Sequence, residues 1–170
     1  MYHYFKYNTA NEVECFLELD REFYCERALY KTKKEIINTY ITIEDESYFL
    51  PEGSLKEAVT NMTLSSKTEF NQLWKVSMLA FEDDWSRLKN KFKIGDMVKT
   101  KILCFYPKGI ISNFGEEFHA LSDYHICEKK FGQHRMYPKN ELELEVSGFD
   151  DINKLILLGP FNRIEPKHYP

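Results

Sequence analysis

Apolar and polar residues alternate early in the chain. Over residues 12–20, Val13, Cys15, Leu17 and Leu19 are interleaved with Glu12, Glu14, Phe16 and Glu18, a period of two that predicts a half-buried strand. After a minimal turn about Asp20–Glu22, residues 22–31 put Phe23, Cys25, Arg27 and Leu29 on one face of a second strand. The β-branched run EIINTYITI (35–43) predicts a third. The acidic run Glu44, Asp45, Glu46 and the turn LPEGS (50–54) then interrupt. Ser66 followed by Glu69 fits a capping box, in which each side chain caps the other's backbone N–H. Beyond it Phe70, Leu73, Trp74, Met78, Phe81, Trp85 and Leu88 recur every three or four residues. That spacing predicts one long helix over 67–90 and assigns both tryptophans to the core it faces.

From Lys91 the texture changes to short strands punctuated by glycine and proline, over 93–105, 106–124 and 137–159. The basic segment NKFK (90–93) and Gly95 mark the change. The expected organisation is therefore α+β: a small antiparallel sheet plus one long helix in residues 1–90, then a β-rich unit in 91–165.

Particular residues of the second unit carry a resemblance. Gly95-Asp96 opens a strand, Gly109 sits at a strand bend, Phe114-Gly115 makes a turn, and VSGFDDINKLILL closes with an Asp-Asp-x-Asn hairpin. This order over about 93–159 resembles the S-one-type OB barrel, the RNA-binding repeat named after a ribosomal protein. The resemblance implies a five-stranded OB-like β-barrel. It also implies a face on which Phe105, Tyr106, Phe118 and His119 stack on bases, with Phe114 nearby, while Lys99, Lys101, Lys108, Lys129, Lys130 and Arg135 meet phosphates. For Phe114 and Phe118 the plainer expectation is packing in the barrel core or exposure at its rim. The sequence departs from the family where Tyr106-Pro107-Lys108-Gly109-Ile110 replaces the aromatic F-G-x-F element, and where the later strand reads Phe118-His119-Ala120-Leu121-Ser122-Asp123. Isoleucine packs but cannot stack on a base, and an aspartate repels phosphate.

Composition and charge sharpen the choice of partner. The 170 residues are 43% hydrophobic and 15% aromatic, which excludes low-complexity, collagen and coiled-coil classes. No run approaches the ~20 apolar residues of a membrane span. The opening MYHYFKYNTANEVECF lacks a signal-peptide pattern, so a cytoplasmic location is expected. The net charge of −4 is uneven: residues 1–90 hold 11 basic and 16 acidic side chains, residues 91–170 hold 12 and 11. Nucleic-acid binders usually carry a basic excess. Four scattered cysteines, Cys15, Cys25, Cys104 and Cys127, are expected as reduced thiols. A tight hairpin about Asp20–Glu22 would nonetheless bring Cys15 opposite Cys25.

Catalytic motifs are not evident. His119, His125, Cys127 and His134 are zinc-competent residue types, but they match no finger or protease spacing. A strand or solvated loop is expected over 125–134, with no metal and no cofactor. No phosphate-cradling glycine loop, G-x-S-x-G or H-E-x-x-H is present. The acidic clusters Glu44, Asp45, Glu46 and Glu82, Asp83, Asp84 are either solvated faces or docking points for a basic partner. Two readings follow. The first is a non-catalytic protein-binding module, in its sharper form an antitoxin or immunity protein that neutralises a basic, nuclease-type toxin. The second is an RNA-binding accessory protein using the barrel face.

Overall fold

In the computed structural model, which describes residues 1–10, 12–43, 46–47 and 49–160, the alternating segment forms strand β2 (Glu14–Leu19), hairpin-paired with β3 (Cys25–Lys31). An unpredicted strand, β1 (His3–Asn8), lies on the other side of β2. With β4 (Ile36–Asn38) and β7 (Thr63–Leu64) the sheet runs β4-β3-β2-β1-β7, and each adjacent pair is antiparallel. β2 is buried on both faces rather than one. Tyr4, Glu18 and Arg27 are aligned across three strands, and helix α1 (Lys67–Leu79) packs on that face through Phe70 and Trp74. On the opposite face Tyr30 reaches the carbonyl of Phe49, and the Leu55 N–H donates to the carbonyl of Phe23.

Several local expectations are corrected. The stretch 35–43 is not one strand: it breaks after Asn38, whose Oδ1 accepts from the Tyr40 N–H at 2.9 Å. Tyr40 thereby turns into the core and donates its hydroxyl to the Glu26 carbonyl at 2.7 Å. The chain continues through the two-residue strands β5 (Thr42–Ile43) and β6 (Glu46–Ser47). The hairpin also does not oppose the two cysteines. Cys15 pairs across with Tyr30 and Cys25 with Leu19, and all four thiols are free.

The expected long helix is two helices, α1 and α2 (Glu82–Lys91). Ser66 caps α1 as predicted, accepting from the Glu69 N–H at 3.0 Å. The Glu69 carboxylate goes instead to Lys6 and Ser65. The break has a geometric reason. On one straight helix, residues eleven apart lie roughly 16 Å apart along the axis. Here the Trp74 and Trp85 indoles donate to adjacent residues, the Ile152 carbonyl at 3.1 Å and the Asp151 carboxylate at 2.8 Å. A straight helix cannot deliver both. The break also places Glu82, Asp83 and Asp84 in the first turn of α2, where negative charge meets the unpaired N–H groups of a helix start.

Residues 97–158 form a closed five-stranded barrel. Its strands are β8 (Met97–Tyr106), β9 (Gly109–Asn113), β10 (Ala120–Ser122), β11 (Glu141–Asp150) and β12 (Leu155–Leu158). Counted within the barrel, the order is first, second, third, fifth, fourth and back to the first, with only the third–fifth contact parallel. Gly109 is required where β9 meets β10: at φ +141 a Cβ would lie 2.3 Å from the Ser122 carbonyl oxygen. The Asp150–Asn153 turn closes as expected, Asp150 Oδ1 accepting from the N–H groups of Ile152 and Asn153.

Between β10 and β11 the expected strand or loop is a helix, α3 (Tyr124–Phe131). Asp123 caps it, accepting from the Ile126 N–H at 2.9 Å, so the residue that would repel phosphate is a helix start. Buried apolar residues of the first 90 positions and of the barrel form one cluster. Lys154, Glu26 and Tyr106 each bond across the 90/91 position.

Candidate functional site

The outer surface of β9 and β10, where the stacking face was expected, is covered. Ile110, Ile111, Ser112, Ala120, Leu121 and Ser122 are all buried, although only alternate residues of a barrel strand point inward. The first half of the chain supplies the cover. Ile41 bridges to Phe118. The Tyr40 ring meets Tyr106 edge-on at 5.8 Å, and the Tyr106 hydroxyl accepts from the Leu50 N–H at 3.1 Å. Phe118 is held against Trp85 at 5.2 Å and Phe81 at 6.4 Å.

The expected nucleic-acid residues are therefore dispersed. Tyr106, Phe118 and His119 are buried, which corrects their assignment as stacking residues. Phe105 alone of that set is exposed. Lys108 lies 3.2 Å from buried Glu26, whose carboxyl burial pushes up while Lys108 opposes. Lys99 and Lys101 point outward, directly opposite Glu143 and Glu141 on β11, so this part of the barrel presents mixed charge.

Burial also fixes what His119 can do. It lowers the imidazole pKa from 6.5 to about 4. Between those values the unfolded chain binds a proton that the folded chain does not, so stability falls as pH drops through the window. At 1.36 kcal/mol per pKa unit, the full loss from this residue is about 3 kcal/mol. Urea unfolding at pH 7, 5.5 and 4.5 should show the decline, and His119→Gln should flatten it. An unchanged profile in that variant would remove His119 as its source.

The acidic candidates divide as well. Glu44 and Asp45 lie outside the described residues, and Glu46 belongs to β6. Glu82 holds the ammonium of Lys154 at 2.8 Å, with Lys154 only 1% exposed. Asp84 pairs with Arg87, while Asp83 is exposed. Two of these three carboxylates thus have cationic partners within the fold. Among the described residues no three His, Cys, Asp or Glu side chains are gathered as a metal-binding group. On α3, His125 is exposed and Cys127 buried, so the two do not share a site.

One concavity does combine exposed rings with charge. A groove of ≈ 780 Å³ lies between the β2–β3 hairpin, the segment Phe49–Gly53, the end of β8 at Leu103–Pro107, and Pro138. Asp20 Oδ1 shapes the hairpin, accepting from the N–H groups of Glu22 and Tyr24 at 2.8 and 2.9 Å. Phe23 adopts φ +65 there and stacks on His3, which turns Tyr24 toward the groove. Tyr24, Phe49 and Phe105 are 39%, 46% and 40% exposed. Phe105 is braced edge-on by Tyr124 at 5.8 Å. Asp20, Glu22 and Glu52 line the groove, and among the described residues no lysine or arginine does. Cys104 lies in it half-buried, its thiol pushed up to about 11 by burial, so it stays protonated at neutral pH.

No protein-family model and no curated protein matches this chain. The site must therefore be read from its own chemistry. An aromatic and apolar groove with an acidic lining suits the side chains of a cationic partner. Reasoning from sequence missed the groove because its walls come from four separated segments. The signal present was a ring and prolines outside every periodic pattern, Phe49, Pro51, Pro107 and Pro138, with Tyr24 on the outward face of the second strand.

Proposed function

We propose that this chain is a non-catalytic protein-binding module in which an OB-like barrel has lost its nucleic-acid face to the chain's own first half. The barrel's strand order, its parallel third–fifth contact and the helix between the third and fourth strands support the OB reading. The closing VSGFDDINKLILL hairpin supports the S-one-type resemblance. One observation carries the choice of protein over RNA: β9 and β10 are buried, and the rings flanking them, Tyr106 and Phe118, are covered by Tyr40, Ile41 and Trp85 of the first half. The sharper form is an antitoxin or immunity protein that holds a basic toxin of the nuclease class. Acidic charge speeds the encounter with such a partner, and buried anchors set how long the complex lives.

RNA binding keeps one support. Lys129, Lys130, Arg135 and Lys139 are exposed, as is the ring of Tyr137. Two measurements separate the readings. Mixed single-stranded RNA should give no gel shift at low salt. If a neighbouring gene encodes a basic nuclease-type toxin, that toxin should co-elute with this chain as a stoichiometric complex and lose its activity. A shift that weakens steeply with salt and disappears in the Lys129→Glu, Lys130→Glu double variant would reverse the choice.

A further inference from the structure

We infer that the groove between the β2–β3 hairpin and the end of β8 seats an arginine side chain of a basic protein partner, held between the exposed rings of Tyr24, Phe49 and Phe105 and the carboxylates of Glu22 and Glu52. The inference rests on the protein-binding reading and specifies its anchor.

Three features of the groove select this occupant. The first is charge. Among the described residues, Glu22 and Glu52 form no ion pair and no cationic side chain lines the groove. Lys108, the cation next in sequence to Pro107, is engaged by Glu26. A cation entering the groove therefore meets carboxylates without displacing an internal partner.

The second is the display of rings. Tyr24, Phe49 and Phe105 keep about two fifths of their surface in contact with solvent, whereas Phe16, Phe70 and Tyr40 are fully buried. Exposed ring faces attract a cation, and a guanidinium gains most because it is planar and weakly hydrated. Its fork also matches a carboxylate, which a lysine ammonium does not.

The third is stiffness. The Asp20 turn holds Tyr24, the Tyr124 ring braces Phe105, and Leu50 is fixed by its N–H to the Tyr106 hydroxyl. A preformed site loses little freedom on binding, which favours a single anchoring side chain. The apolar floor of Leu50 and Leu103 then takes hydrophobic neighbours of that arginine.

Calorimetry of the full chain with a capped peptide carrying one arginine between two leucines tests the assignment. The control peptide has glutamate in place of the arginine. Binding is expected for the arginine peptide only, and should weaken as salt rises from about 0.02 to 0.5 M. Phe105→Ala should weaken it about tenfold, and Glu22→Gln with Glu52→Gln about three- to tenfold. The altered side chains are exposed, and the glutamine pair leaves the packing intact should Phe105→Ala disturb Tyr124. Equal binding of both peptides would reduce the groove to a merely apolar surface and overturn the inference. So would undiminished affinity in both variants, or no binding of the arginine peptide up to millimolar concentration. Those outcomes leave the protein-binding reading standing if the toxin complex forms, and that reading fails separately if it does not.

Discussion

Glu18→Ala should destabilise the fold by about 3–5 kcal/mol, the cost typical of removing one member of a buried ion pair. Glu18 and Arg27 are both buried, joined by bonds of 2.5 and 2.9 Å. Tyr4 donates its hydroxyl to the same carboxylate at 2.8 Å, and the guanidinium lies 5.0 and 4.8 Å from the rings of Phe70 and Trp74. Removing Glu18 strands a guanidinium among aromatic rings beneath α1, with Asn71 its remaining hydrogen-bond acceptor among the described residues. Replacing both charges, Glu18→Leu with Arg27→Met, should recover much of the loss, because a buried pair often contributes little more than apolar residues of similar volume. Urea denaturation of the two variants beside the unaltered chain measures this, and a double variant no better than the single one would show that the pair itself supplies the stability. The pH dependence has a definite sign. Burial alone would raise the Glu18 carboxyl, but the bonds from Arg27 outweigh it and hold the pKa below 4.5. Its contribution is therefore fully present above 4.5 and is lost as pH falls through the lowered value.

Trp85→Ala should have a loss of comparable size, about 3–5 kcal/mol, by emptying a large site in the core. Trp85 is 1% exposed and touches both barrel elements beside it, Phe118 at 5.2 Å and Phe149 at 6.0 Å. Its indole N–H donates to Asp151, which also receives Lys89 at 2.6 Å. Trp85→Phe keeps most of the apolar contact and removes the hydrogen bond, so it should cost only about 1–2 kcal/mol. The pair of urea midpoints tells packing from hydrogen bonding. A loss below 1 kcal/mol for Trp85→Ala would mean that the helices are not held to the barrel through this residue.

The parts of the fold legible in the sequence were those governed by neighbours along the chain. Alternation at 13–19 located β2, the Ser66 cap started α1, and the Asp150–Asn153 turn placed the final hairpin. Errors arose where a distant contact decided the local conformation. The helical stripe from Phe70 to Leu88 is continuous in spacing, yet the chain breaks so that two indoles reach one barrel turn. Nothing local reveals that Tyr40 must point inward to bond Glu26, so the strand over 35–43 looked unbroken. Asp123, which on a strand would oppose phosphate, caps α3, and the composition of the segment does not reveal that helix.

The candidate site was legible only in fragments. Phe105 was recognised as a displayed ring, but Tyr106, Phe118 and His119 cannot be told apart from it by sequence. The cover over them comes from residues about 30 to 80 positions earlier, such as Ile41 and Trp85. Charge divided by halves pointed toward a cationic partner. It did not locate the surface, because Glu82 and Asp84 serve cations of the fold itself.

The 151–152 turn carries a consequence for spectroscopy. The chain has two tryptophans, and both donate to this turn. Trp85 emission reports the seating of α2 on the barrel, while Trp74, which also packs against Tyr40 and Arg27 of the first half, reports that seating together with the packing of α1 on its sheet. A red shift that precedes the loss of far-ultraviolet ellipticity would therefore show the halves parting before either melts. No extrinsic label is needed to watch the two halves separate.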